Sequence, residues 1–264
     1  MRFTAIIGHP LEHTLSPMLH QYIYDRVAIK ARMLVLADAN LGNLIKQIRE
    51  KPIELTAVTI PHKQAIMKYL DEVEERAKEI GAVNTVINRN GQLCGYNTDV
   101  VGIERALSGV EIKNRTVLLL GAGGAAQPAA RLVNQKGGKL ICCNRSKDKA
   151  EKLVKKFGGQ VVELDELNPE DADVIINATP IGMYPKVDEM PLDASLLGNH
   201  QTVFDMIYNP RETKLLREAK IKGAKIISGL EMFIEQGLEQ IRLWSGREYD
   251  DEGLSEILKT HLSG

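Results

Sequence analysis

Two groups of residues in this chain carry chemistry by type and spacing. The first is Gly121-Ala-Gly123-Gly124-Ala125-Ala126, which follows the apolar run VLLL at 117–120 and precedes a helix-compatible run, PAARLVNQ. A G-x-G-x-x-A turn between a strand and a helix is a dinucleotide-binding pattern. Gly121 allows the tight turn, Gly123 lets a pyrophosphate approach the backbone, and Ala126 lets the helix pack closely with its N-terminus toward the anion. A strand-to-helix turn that is merely tight is the bland alternative. The next apolar run, KLICC, ends at Asn144-Arg145-Ser146-Lys147, close to the spacing of about 20 residues at which an NAD site carries an acid. No acid stands there. Arg145 can grip a phosphate with two bonds and Ser146 and Lys147 can add donors, which argues for NADP over NAD; a solvated charged turn is the competing reading.

The second group is polar and falls at the ends of expected strands and the starts of expected helices: Thr14, Ser16, Thr59, Lys63, Asn84, Thr85, Asn97 and Asp99. Hydroxyls, amides, one amine and one carboxylate suit a small polyhydroxylated acid, although each Ser, Thr or Asn taken alone is as well explained as a helix cap or turn. A catalytic metal is not expected. His9, His13, His20 and His62 form no compact ligand pattern, and Cys94, Cys142 and Cys143 lack CxxC spacing and read as buried thiols.

These residues need elements to hold them. Segments 3–8, 31–36 and 55–60 are β-rich and alternate with amphipathic stretches at 16–27, 41–50 and 63–70, which favours a parallel sheet with helices on it. Ser16-Pro17 reads as a helix cap followed by proline at the first helical position, and Pro61 repeats the signal. A second alternation runs from Arg115 through KLICC, QVVEL, DVIINAT and TVFDMIY to AKIIS near 228. The tail, 229–264, has apolar residues at helical spacing: Leu230, Phe233, Ile234, Leu238, Ile241 and Leu243, then Leu254, Ile257, Leu258 and Leu262. The expected fold is therefore α/β, with two α/β domains flanking a cleft. The first spans 1–99 and is completed by tail helices at 230–264 that cross back onto it; the second, 100–229, is a doubly wound dinucleotide-binding domain of Rossmann type.

Composition narrows the function classes. With 264 residues, 34 Lys+Arg against 35 Asp+Glu and a net charge of −1, there is no charge surplus to hold nucleic acid or a membrane surface. No apolar stretch approaches the ~18 residues of a spanning helix and no signal-peptide core is present, so a cytoplasmic location is expected.

In order along the chain, Gly8-His-Pro-Leu-Glu-His13-Thr14-Leu-Ser16-Pro17, Val58-Thr59-Ile-Pro61-His-Lys63, Gly81-Ala-Val-Asn84-Thr85 and Gly95-Tyr-Asn97-Thr98-Asp99 are followed by four more segments. These are Asn144-Arg145-Ser146, Asn177-Ala-Thr179-Pro180-Ile-Gly182-Met183, Asp205-Met-Ile-Tyr208-Asn209-Pro210-x-x-Thr213 and Gly229-x-x-Met232-x-x-x-Gln236-Gly237. This series resembles the shikimate dehydrogenase family over nearly the whole chain. The resemblance implies an N-terminal substrate domain and reversible NADP-linked reduction of 3-dehydroshikimate to shikimate, a step of aromatic amino-acid and chorismate biosynthesis. It makes Lys63 and Asp99 the catalytic pair. Thr14, Ser16 and Tyr208 would hold the substrate carboxylate, and Thr59, Asn84 and Gln236 its ring hydroxyls. Thr179 and Met183 would border the nicotinamide, with Gly229 at the opposite lip. The expected partner is a small-molecule substrate, shikimate or 3-dehydroshikimate, and the expected state a monomer or homodimer.

Two positions depart from the family pattern, which usually has serine at Thr14 and asparagine at Ala57. Both bear on substrate choice, so a quinate/shikimate dehydrogenase using NAD or NADP is the rival within the class. Across classes the rival is a catalytically idle dinucleotide sensor, against which the presence of both Lys63 and Asp99 weighs.

Overall fold

The structure, a computed structural model, describes residues 1–168, 171–247 and 251–261. It divides into two compact units, Met1–Gly102 with Phe233–Gly264, and Ile103–Met232.

In the first unit the strands are β1 (Arg2–Gly8), β2 (Ala31–Ala37), β3 (Ile53–Val58), β4 (Glu72–Val73), β5 (Thr85–Arg89) and β6 (Gln92–Tyr96), in sheet order β2-β1-β3-β5-β6-β4. The helices are α1 (Ser16–Arg26), α2 (Leu41–Glu50), α3 (Glu75–Ile80) and the start of α4 (Asp99–Ala106). The sheet is mixed, which corrects the parallel-sheet expectation: β1 pairs in parallel with β2 and β3, but β5 runs antiparallel to both β3 and β6. The reason is local. Asn90 and Gly91 both adopt positive φ, at 55° and 93°, the two-residue reversal whose twist matches a hairpin, and Arg89 faces Gln92 directly across it.

Two smaller expectations also change. Leu15, not Ser16, holds the cap position of α1, and no side chain caps that helix. Segment 63–70 forms a 3-10 turn at Ala65–Tyr69 in which only Ile66 is buried, so one apolar anchor replaces a helical stripe. By contrast α2 is capped by a side chain, with Asn40 accepting from the backbone of Gly42 at 2.9 Å and Asn43 at 3.4 Å. Its Leu44 and Ile48 pack on Ala5, Ile7, Ile53, Val86 and Leu93.

The tail forms α8 (Gly229–Ser245) and α9 (Asp251–His261). Leu230, Phe233, Ile234, Leu238 and Ile241 are buried and Leu243 is half-buried. In α9 Leu254 and Leu258, one turn apart, are buried, whereas Ile257 at the flank of that stripe is exposed; Leu262 lies outside the described residues.

The second unit has β7 (Thr116–Leu120), α5 (Ala126–Gln135), β8 (Lys139–Cys143), α6 (Lys147–Phe157), β9 (Gln160–Val161), β10 (Val174–Asn177), β11 (Thr202–Asp205), α7 (Lys214–Ile221) and β12 (Lys225–Ser228). Its sheet, ordered β12-β11-β10-β7-β8-β9, is parallel throughout. Alternate strand residues feed two cores: Val117, Leu119, Leu140 and Cys142 on one face, Leu118, Leu120, Ile141 and Cys143 on the other. Burial on both faces explains the unbroken apolar runs. It also places the adjacent thiols on opposite sides of the sheet, where burial pushes Cys142 up to about 12 and Cys143 up to about 11. The chain leaves β7 toward β8 and later returns to β10 on its other side, so the strand order reverses between β7 and β10, where open parallel sheets bind ligands at the strand C-termini.

Candidate active site

Of the first unit's polar residues, Asp99 and Asn84 gather at Lys63. It follows β3 at the start of the turn, and its carbonyl accepts from Val83 N at 2.7 Å, which brings it beside Asn84. Asp99 opens α4. Lys63 Nζ donates to Asp99 Oδ2 at 2.6 Å, with the side chains only 13% and 4% exposed. That burial separates this pair from the solvated bridges elsewhere on the chain, such as Arg49–Asp71 at 38% and 40%, whose worth is usually under about 1 kcal/mol.

Asn84 completes the cluster. Its Oδ1 accepts from Thr98 N at 2.7 Å and from Thr85 Oγ1 at 2.8 Å. The backbone donor settles which way the amide points, so Nδ2 donates to Asp99 Oδ1 at 2.8 Å and Thr98 Oγ1 at 2.9 Å. Both Nδ2 hydrogens are then used, and Gln236 Oε1, 3.5 Å away, keeps acceptor capacity for another group. The Gln236 amide nitrogen is held by the Phe233 carbonyl at 2.8 Å. Lys63, Asp99, Asn84 and Gln236 are thus linked in one constellation: an ammonium with spare donors, a carboxylate that orients it, and an amide oxygen beside the Asn84 amide.

Thr14 and Ser16 stand together at the head of α1, their hydroxyls 3.3 Å apart. Thr59 follows β3 directly and is half-buried, its amide bonded to the Ile7 carbonyl at 3.0 Å. No hydrogen bond among the described residues joins these three hydroxyls to the Lys63 cluster. Tyr208 belongs to the second unit, just beyond β11, and is half-buried.

In the second unit the glycine loop leaves β7 at Gly121, whose φ of 104° is one that side chains rarely adopt. A Cβ there would meet Thr179 Cγ2 at 3.1 Å and the Ala178 carbonyl carbon at 3.2 Å, so the loops after β7 and β10 touch at this point. Gly123 is exposed and a Cβ on it would meet nothing within 4 Å: it is open space above a helix start. Ala126, the first residue of α5, is fully buried, and its amide bonds to the Gly123 carbonyl at 3.1 Å. Gly124 and Ala125 are half-buried between them. Asn144 turns inward, accepting from Ala122 N at 3.2 Å and donating to the Ser146 carbonyl at 2.8 Å. It braces the loop while Arg145, Ser146 and Lys147 remain exposed, and Arg145 makes no ion pair among the described residues. A cradle with room over the backbone, a helix N-terminus and free cationic donors fit a phosphorylated dinucleotide.

Thr179 is used inward, its hydroxyl donating to Asn177 Oδ1 at 2.7 Å and accepting from Ile181 N at 3.2 Å. Met183 is half-buried in the same loop. Gly229, at the start of α8, has no room for a side chain, because a Cβ would collide with the Met206 carbonyl.

Family models match three stretches of the chain. Residues 6–86 match the model of the shikimate dehydrogenase substrate-binding domain, 104–214 that of shikimate/quinate 5-dehydrogenase, and 229–252 that of the shikimate 5'-dehydrogenase C-terminal domain. A shikimate dehydrogenase (NADP(+)) from Bacillus cereus is 39% identical over 272 residues, covering 98% of each chain. The chain belongs to the shikimate dehydrogenase family. Among solved members, the Thermus thermophilus enzyme in complex with NADP(H) and shikimate superposes with a TM-score of 0.87 at 34% identity, covering 98% of this chain and 99% of that one. A shikimate dehydrogenase in complex with NADP+ gives 0.88 at 37%, covering 99% and 96%.

Within this shikimate dehydrogenase fold two buried groups escaped the sequence reading. Asp205, fully buried at the end of β11, accepts from Thr213 Oγ1 at 2.6 Å, Asn177 Nδ2 at 3.0 Å and Ile207 N at 3.0 Å. Burial pushes its carboxyl up to about 6, and those donors limit the rise. It ties the Asn177–Thr179 loop to the cap of α7. His20, inside α1, is pushed down to about 4 by burial, opposed by its bond to Gln240. A buried acid inside DxxYNPxxT and a glutamine one turn beyond Gln236 were visible signals, but neither type announces its partners.

Proposed function

We propose that this protein catalyses the reversible NADPH-dependent reduction of 3-dehydroshikimate to shikimate, within aromatic amino-acid precursor synthesis. The observation that carries the reading is the buried Lys63–Asp99 pair, braced by Asn84 and facing Gln236, in a chain whose relatives bear that name and use NADP(+). Bound NADPH supplies hydride chemistry at the ketone carbon. As charge gathers on the ketone oxygen, Lys63 Nζ stabilises it and delivers a proton to it; in reverse, Lys63 takes the hydroxyl proton. Asp99 holds the ammonium in place through Oδ2 and is itself held through Oδ1 by Asn84. Gln236 Oε1 is placed to accept from a ring hydroxyl, with Thr59 as a further donor. Thr14 and Ser16, together with Tyr208, are assigned to the carboxylate. Gly121, Gly123, Ala126 and the α5 N-terminus are assigned to the pyrophosphate, and Arg145, Ser146 and Lys147 to the 2'-phosphate. Thr179, Met183 and Gly229 are assigned to the nicotinamide side. A cytoplasmic enzyme, monomeric or dimeric, completes the reading.

The test is cofactor reduction followed by near-ultraviolet absorbance, with shikimate or quinate offered against NADP⁺ or NAD⁺. Turnover confined to shikimate with NADP⁺ is expected. Comparable turnover of quinate or NAD⁺ would assign the broader enzyme, and silence in all four arms would defeat the proposal.

A further inference from the structure

A hydrogen-bond chain runs through the core of the first unit, and its direction can be read without ambiguity. Gln240 Nε2 lies 3.3 Å from the Asn84 carbonyl oxygen and 3.0 Å from Thr85 Oγ1. A carbonyl only accepts, so this atom is the amide nitrogen and Gln240 Oε1 faces His20 Nε2 at 3.0 Å. That nitrogen must carry the proton. In the neutral ring Nδ1 is then an acceptor and takes the Tyr24 hydroxyl at 3.0 Å, and Tyr24 in turn accepts from Thr4 Oγ1 at 2.8 Å. At the other end Thr85 Oγ1 donates to Asn84 Oδ1 at 2.8 Å. Every donor therefore points the same way, from Thr4 on β1, through Tyr24 and His20 on α1 and Gln240 on α8, to Asn84 before β5. Thr4, His20, Tyr24, Thr85 and Gln240 are each at most 1% exposed, so no solvent competes for these bonds.

The chain ends on the amide that orients Asp99, and Gln240 sits one helical turn after Gln236 on the same helix. We infer that His20 and Gln240 are positioning residues of this enzyme, locking α8 and Asn84 in the register that sets Asp99, Lys63 and Gln236 for reaction. The inference rests on the catalytic reading above. Packing alone would tolerate a shape-matched apolar residue at 240, whereas the positioning role requires an amide with its nitrogen toward Asn84.

Gln240→Met keeps the length and removes all three bonds; Gln240→Glu keeps the acceptor toward His20 and removes only the donor toward Asn84 and Thr85. Both are expected to lower kcat for shikimate oxidation by about ten-fold or more and to raise KM for shikimate, with KM for NADP⁺ unchanged, since displacements of under about 1 Å at a reacting centre carry such penalties. Ile23→Val, a buried change on α1 outside the chain, is the control for lost stability and is expected to keep both constants. Wild-type kcat and KM in folded Gln240→Met would overturn the inference. Two magnetic-resonance readouts stand apart from turnover. Selective ¹⁵N labelling of histidine is expected to show His20 neutral with its proton on Nε2, and the Asn84 side-chain amide signals are expected to move in Gln240→Met. A proton on Nδ1, or unmoved Asn84 signals, would refute the chain, and would do so even if the wild-type protein proved silent toward shikimate, an outcome that defeats the catalytic reading instead.

Discussion

Removing Lys63 while keeping the bulk of its stem separates what the buried pair does for turnover from what it does for the fold. At 2.6 Å, and with an effective dielectric constant of about 20, the two charges attract by about 6 kcal/mol before desolvation is counted. Taking them out of water cancels much of this, and truncating one partner of a buried pair typically costs about 3–5 kcal/mol because the other charge is stranded. Asp99 is not wholly stranded in Lys63→Met, since Asn84 Nδ2 still donates to it at 2.8 Å and it stays in the first turn of α4. The expected loss is therefore at the low end, about 3 kcal/mol, or a fall in Tm of about 5–10 °C. In Lys63→Met/Asp99→Asn the stranded charge is gone while the Asn84 bond has an oxygen to accept it, so most of that stability is expected to return. Turnover is expected to drop by about two to four orders of magnitude in both variants, with NADP⁺ affinity retained. Calorimetry and steady-state kinetics on the three proteins are the assay. Near-normal kcat in Lys63→Met would refute the acid–base role, and a double variant as unstable as the single one would refute the electrostatic account of the pair.

Other outcomes follow from the same geometry. Arg145→Asp exchanges the exposed cation assigned above to the 2'-phosphate for a ribose-hydroxyl acceptor and is expected to shift the kcat/KM ratio toward NAD⁺; unchanged selectivity would move phosphate recognition elsewhere. His20 titrates near 4 in the fold against 6.5 in an unfolded chain, so between those values the unfolded state binds more protons. Its contribution of about 3 kcal/mol is whole above pH 6.5 and fades as pH falls toward 4. Trp244, the one tryptophan of the chain, lies 5.8 Å from Tyr24 ring to ring. Its fluorescence in denaturant titrations of wild type and His20→Phe is expected to show this slope as the difference between the two proteins, in which Asp205 is common to both; no pH-dependent difference would contradict the buried neutral ring. Asp205 has the opposite sign: with its folded value raised to about 6 from 3.8, it disfavours the fold increasingly as pH rises through that window. Asp205→Asn is expected to abolish that loss, and calorimetry between pH 4 and 7 measures it.

How far the sequence reached depended on how local each signal was. The parallel sheet of the second unit was legible because its strands are buried on both faces and read as unbroken apolar runs, and the loop Gly121–Ala126 because its glycines answer to backbone geometry within a few residues. The first sheet was less so. Its antiparallel half depends on the Asn90-Gly91 reversal, a two-residue signal masked by the longer alternation around it. The cap of α1 lies one residue before the one its sequence marks: Leu15 holds it, and Ser16 makes no cap bond although its type and the following proline suggest one.

At the candidate site, the types and order of Lys63, Asn84, Asp99 and Gln236 were enough to mark the family, because each lies in a short segment whose neighbours are specific too. Their distances were not legible, nor was the inward turn of Asn144 and Thr179, nor the line from Thr4 to Asn84. Residue types and local spacing are properties of a few consecutive residues, and a single sequence determines them. Which buried donor meets which acceptor across 155 positions, as between Gln240 and Thr85, is decided when helices and strands from distant parts of the chain pack together. Only then does burial remove water as the competing partner and make one orientation of each amide and imidazole the stable one.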